Sequence, residues 1–134
     1  LIRLNKINLS SNRIEEIKEY HFKSLKSLLN LDLSNNEIIF LDPGCLYHFV
    51  FLVNLNFGKN SIETLDTKLF NKFISMNDLD LSENQITNLN NFNFINISVN
   101  SLKFKMNKIN HIKSNVFVNL FQLMRLDLSH NRIE

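Results

Sequence analysis

The sequence predicts an α/β repeat solenoid, and three observations carry that prediction. The segment LDLSNNEI (31–38) recurs as LDLSENQI (79–86) and LDLSHNRI (126–133). Weaker copies fall between them: INLSSNRI from Ile7, LNFGKNSI from Leu55 and LKFKMNKI from Leu102. The Asn residues of the copies, Asn12, Asn36, Asn60, Asn84, Asn107 and Asn131, follow one another at steps of 24, 24, 24, 23 and 24 residues. A fixed period in this range marks stacked coils, because one such unit cannot bury its apolar edge without neighbours.

Units start near residues 4, 28, 52, 76, 99 and 123, and together they form one array over 1–134. Each unit has two halves. The first, such as NLDLS (30–34), alternates polar and apolar residues, which predicts a short strand with one buried face. The second spaces its apolar residues by three to five and closes on an aromatic. It is too irregular for a full helix, so a mostly irregular or 3₁₀ return is expected. Strands of successive coils then lie ~4.8 Å apart in a parallel sheet. The fourth unit is one residue short, lost between Phe94 and Val99, and the fifth carries Lys105 and Met106 where the motif is otherwise more regular. A local change in coil shape is expected there.

The repeated Asn falls where the strand turns toward the apolar core. A buried amide must satisfy its donors and its acceptor, and stacked coils offer backbone groups above and below. Asn12, Asn36, Asn60, Asn84, Asn107 and Asn131 therefore read as a structural hydrogen-bonded ladder.

The pattern Leu-x-x-Leu-x-Leu-x-x-Asn-x-Ile, with a following Leu and Phe, resembles the leucine-rich repeat family along the whole chain. The 24-residue unit with Phe near its end, as in IEEIKEYHFKSLKSL (14–28), looks like the "typical" subclass of Toll-like receptor ectodomains, chaoptin-like adhesion proteins and matrix proteoglycans. The segment LDPGCLYHF (41–49) is similar to that subclass's Leu-x-Pro-Gly-x-Phe region, with Leu46 in place of the Phe. The resemblance implies a curved solenoid whose sheet lines the concave side, where partners often bind, with the returns on the convex side. Family members usually carry end caps, and none is visible here. An uncapped fragment is the expectation, with apolar edges open at both end coils and an isolated chain prone to aggregate.

Charge and composition narrow the function. A formal net charge of +2 gives no sequence-wide case for nucleic acid or an acidic membrane surface. No apolar run approaches the ~18 residues that would span a bilayer. Outward strand positions form two columns: Lys6, Asn30, Asn54, Asp78, Ser101, Arg125 and Asn8, Asp32, Asn56, Asp80, Lys103, Asp127. A flanking row runs Ser11, Asn35, Lys59, Glu83, Met106, His130. No aromatic stripe suggests stacking on bases or sugars. Opposite charges across neighbouring strands point to pairing along Asp80–Lys103–Asp127. The candidate protein-binding residues of the concave face are Asp78, Asp80, Lys103 and Arg125.

Catalysis finds no candidate. The Asp and Ser of each LDLS recur in phase as surface repeat positions, with no base to make them a nucleophile and its orienting acid. His21, His48, His111 and His130 fall at four different repeat positions, without metal-ligand spacing. No cofactor is implied. Cys45 is alone, so no internal disulfide forms, and a small half-buried thiol is expected. Two sequons, Asn8-Leu9-Ser10 and Asn96-Ile97-Ser98, are possible glycosylation sites. With 23 Asn and 15 Ser or Thr in 134 residues, about that many arise by chance. The sequence thus points to a non-catalytic protein-recognition scaffold. The subclass resemblance implies an extracellular or cell-surface receptor or adhesion ectodomain, with any membrane anchor outside this segment. An intracellular adaptor or regulatory scaffold is the alternative.

Overall fold

Eight short strands and two 3₁₀ turns organise the chain, in a computed structural model that describes residues 3–70, 72–89 and 97–134. The strands are β1 (Lys6–Asn8), β2 (Glu16–Ile17), β3 (Asn30–Asp32), β4 (Phe40–Leu41), β5 (Asn54–Asn56), β6 (Ser75–Asp80), β7 (Ser98–Lys103) and β8 (Arg125–Asp127). The 3₁₀ turns cover Glu19–Phe22 and Thr67–Phe70, and no α-helix occurs among the described residues. No helix among them is long and apolar enough to cross a membrane.

Six strands form one parallel sheet in the order β1-β3-β5-β6-β7-β8. A second, two-stranded parallel sheet joins β2 to β4 on the return side. This is the stacked solenoid that the period implies, with strands on one side and irregular or 3₁₀ returns on the other. Register follows the period: Lys6 pairs with Asn30, Asn30 with Asn54, and Asn54 with Asp78. Across β6 and β7 the step shortens by one, and Asp78 pairs with Ser101. The missing residue of the fourth unit is therefore absorbed before β7, and the ladder continues unbroken to Ser101–Arg125. The place of the deletion itself lies partly outside the described residues.

Alternation decides which side is buried. Leu31, Leu55, Leu79 and Leu102 point inward and are buried, as are Leu33, Phe57, Leu81 and Phe104 two residues on. Ile38, Ile62, Ile86 and Ile109 close the same core after the turn. Each side chain so buried contributes about 1.5–3 kcal/mol relative to exposure. Rings add contacts between coils: Phe22 and Phe49 lie with centroids 5.4 Å apart. Leu46, which stands where the subclass has Phe, is fully buried too. Toward the ends the core thins. Ile7, Leu9 and Ile14 are only partly buried, while Leu126 and Ile133 are exposed. Cys45 is completely buried rather than half-buried, because the turns around it fold over the core.

The Asn positions tie coil to coil. Asn36, Asn60, Asn84 and Asn107 are buried. The Asn84 amide donates to Leu81 O of its own coil at 3.2 Å and to Phe57 O of the preceding coil at 3.0 Å. Its Oδ1 accepts the N–H of Ile62, also in the preceding coil, at 3.0 Å. Asn36, Asn60, Asn107 and Asn131 repeat the pattern. Asn12 is exposed, and its amide donates only within its own coil, to Leu9 O and Ser10 O.

Just before each Asn the backbone turns left-handed. Ser11, Asn35, Lys59, Glu83, Met106 and His130 all have φ between 54° and 58°. None is Gly, so each carries the Cβ clash that makes this region costly for L-residues, ~1–2 kcal/mol.

Two stability predictions follow from this geometry. Asn84→Ala should lower unfolding free energy by about 1–3 kcal/mol, since buried backbone groups of two coils lose their partner. Asn12→Ala should cost less, and equal shifts in urea midpoint for the two variants would contradict the ladder. Met106→Gly should leave stability unchanged or raise it by up to about 1 kcal/mol, whereas Met106→Val should lower it. The same urea titration reads both.

Candidate functional site: the outward face of the sheet

Side chains that the core does not need converge on the outward face of the six-stranded sheet. The register places Asn8, Asp32, Asn56, Asp80, Lys103 and Asp127 in one column, and Lys6, Asn30, Asn54, Asp78, Ser101 and Arg125 in the next.

Most of the first column has a local task. Oδ1 of Asn8, Asp32, Asn56 and Asp80 accepts the backbone N–H two residues on at 2.9 Å, and that of Asp127 does so at 3.0 Å. The hydroxyls of Ser10, Ser34 and Ser129 donate to the same oxygens at 2.7 Å. These are Asx turns, and they carry the chain from the strand into the left-handed residue. The Asp-x-Ser spacing of LDLS was the available signal. Asp127 shows the effect on charge: the Ser129 hydroxyl, and then its N–H, hold this carboxyl below its ordinary value.

Lys103 is the exception in that column, and it cannot accept such a bond. Its ammonium instead reaches across to Asp78 Oδ2 at 2.8 Å and lies 3.7 Å from Asp80 Oδ2. Of the expected Asp80–Lys103–Asp127 series, the Asp80–Lys103 pair is present and the Lys103–Asp127 pair is not. The stronger partner is Asp78, one column over, and Asp127 is turned to Ser129. Asp78, Asp80 and Lys103 thus form one partly buried cluster. Arg125 stands apart on β8, exposed, paired in register with Ser101.

An amide row crosses the face beside them. Asn54 donates to Asn30 at 2.6 Å, Asn77 to Asn54 at 3.4 Å, and Asn100 to Asn77 at 3.4 Å. Asn30 and Asn54 of the row, together with Lys6, Asp32, Asn56 and Asp78, border an open depression of about 320 Å³. Next to it lies an apolar spot that the column reading missed. Phe51 is 63% exposed and Leu29 37%. The N–H of Val53 donates to Leu29 O at 2.8 Å and that of Asn77 to Val53 O at 2.7 Å, so Leu29 stands in line with the amide row, while Phe51 lies in the turn ahead of β5.

The remaining candidates are accounted for by packing or position. Burial, and then the charge of Asp42, push the Cys45 thiol up to about 12, which keeps it protonated and unreactive near neutral pH. His21 Nδ1 accepts the Lys18 N–H at 3.1 Å. Among the described residues no three His, Cys, Asp or Glu side chains are grouped to hold a metal ion. Asn8 is exposed on β1 with its side-chain oxygen in an Asx turn. Asn96, the other sequon, lies outside the described residues.

Comparison with known proteins agrees with this architecture. Residues 2–57 match the sequence profile of the family described as Leucine rich repeat. A solved LRR protein of Leptospira interrogans superposes with a TM-score of 0.75 at 26% identity, over 97% of this chain. The chain spans 32% of that protein's length. No curated protein matches by sequence. The coil geometry, the profile over the first coils and the superposition over nearly the whole length converge on one architecture: the chain is a parallel-sheet solenoid similar in fold to a leucine-rich-repeat protein.

Proposed function

We propose that the outward sheet face is a protein-recognition surface and that the chain is a non-catalytic scaffold for it. The observation that carries this reading is the juxtaposition of exposed Leu29 with the amide row and the Asp78–Lys103–Asp80 cluster. An exposed apolar side chain beside partly desolvated polar groups is a composition that protein interfaces use. None of these side chains serves the core, so they are free to match a partner. In this reading Asp78 and Asp80 meet the partner directly, Lys103 sets their charge and position, and Arg125 extends the surface at β8.

For the setting we propose an extracellular receptor or adhesion ectodomain, a reading supported by the resemblance of the 24-residue unit to that subclass. An intracellular adaptor is the second reading, favoured by one observation: the single cysteine is a free thiol. Its complete burial makes it compatible with the first reading too.

Two experiments bear on this proposal. A photoreactive side chain at Ser101 should capture a protein partner, and reversing Asp78 and Asp80 to Lys should weaken that complex about tenfold or more. The melting midpoint should move little, since a surface ion pair is worth ~0–1 kcal/mol. Unchanged affinity would sink the choice of face. For the compartment, a membrane-impermeant amine reagent applied to intact cells should label the natural protein. Labelling only after lysis would favour the adaptor.

A further inference from the structure

The return side of the second coil departs from its neighbours in a way the fold does not require. Ile39 and Phe40 are 64% and 50% exposed, while Ile38 and Leu41 on either side of them are buried and hold the segment to the core. Phe40 pairs with Glu16 in the small β2–β4 sheet, and the Ile39 N–H donates to Glu15 O at 2.9 Å. The repeat therefore shows what this position normally carries. Other coils put Glu15, Glu63, Thr87 and Asn110 at the place of Ile39, and all are polar at the place of Phe40 as well. A solenoid coil closes equally well with polar residues here, so packing does not account for two adjacent large apolar side chains in water.

Acidic side chains outnumber basic ones around the pair, with Arg13 beside Glu37 and Lys18 beside Glu16 as the cations. Glu37 precedes it by two residues, Glu15 lies across the ladder on the first coil, and Glu63 holds the equivalent place on the third. All three are exposed, and none has an ion-pair partner among the described residues. Glu16 differs, since Lys18 holds it at 2.6 Å. An apolar pair framed by unneutralised carboxylates attracts a segment that carries apolar and cationic side chains together, and it repels an anionic lipid surface.

We propose that Ile39 and Phe40, with Glu15, Glu37 and Glu63, form a second docking site, on the return side, for a basic, apolar-bearing segment of another polypeptide. The site is independent of the sheet face. Phe40 supplies the anchor, and the carboxylates select Lys or Arg beside the apolar residue that covers it.

Three fluorescent peptides test this with the 134-residue chain: alternating Leu and Lys, alternating Ser and Lys, and alternating Leu and Glu. The Leu/Lys peptide should bind, and the other two should bind about tenfold more weakly or not at all. Phe40→Ser should weaken Leu/Lys binding about tenfold. Should that variant fold poorly, the doubly substituted Glu15→Gln, Glu63→Gln chain keeps the question open to test, because both carboxylates are exposed. It too should bind more weakly, and with a reduced salt dependence. Equal binding of the Leu/Glu peptide overturns the proposal, as does binding that survives both variants. Loss on Leu29→Ser but not on Phe40→Ser would place the peptide on the sheet face and overturn it as well. A concentration-dependent dimer abolished by Phe40→Ser would make a second copy the occupant, and the proposal would fall.

Discussion

The reach of each buried Asn side chain back to the preceding coil is the constraint on which the rest of the structure depends. At every turn from strand to return, a backbone carbonyl and a backbone N–H point into a region without water. Asn60 satisfies Leu33 O and Ile38 N of the coil before it, and Phe57 O of its own coil. One side chain thereby sets the separation and the phase of two coils at once. The parallel register is a consequence of that phase: Leu31 meets Leu55 inside, so Asp32 must meet Asn56 outside. A surface column exists because a core column does.

The turn that delivers each Asn needs its own local chemistry. An Asx residue ends the strand, the next residue but one donates its N–H to that side chain, and a left-handed residue follows. Five of six coils keep the Asx residue, and the fifth coil has Lys103 there. The coil survives this because Phe104 and Asn107 still hold it to its neighbours: Phe104 N donates to Asp127 O, and Asn107 to Leu81 O. What changes is the surface. A side chain that elsewhere folds back on its own turn becomes a cation reaching two carboxylates of the previous coil. The least regular coil is thus where a charged cluster arises, and the irregularity is what frees the group to form it.

How much of this was legible in the sequence depends on which links repeat. The strand columns, the inward Leu and Ile positions and the irregular returns follow from period and alternation alone. The cross-strand charge argument holds for Asp80 and Lys103 but not for Asp127, whose Asp-x-Ser spacing offers a bond two residues away. The amide row was hidden because Asn77 and Asn100 fall one residue before the columns, at positions filled in other coils by Leu29 and Val53. The exposure of Phe51, Ile39 and Phe40 could not be read from type: apolar residues in an irregular return have no period to assign them inside or outside.

The residues that hold the coils together are therefore separate from those of the proposed recognition surfaces. In a stacked array each coil interacts mainly with its two neighbours, so the loss of one rung weakens a local pair of interfaces first. Residues outside the rung and the core are exempt from that coupling. Asp78 and Lys103 can change without disturbing Leu79 or Leu102, whose side chains point the other way and are fully buried. The same freedom holds on the return side, where Ile39 and Phe40 sit between Ile38 and Leu41 but contribute to neither's burial. A chain built from one repeated coil can in this way carry different surfaces on opposite sides, because the pattern that holds it together leaves both of them unspecified.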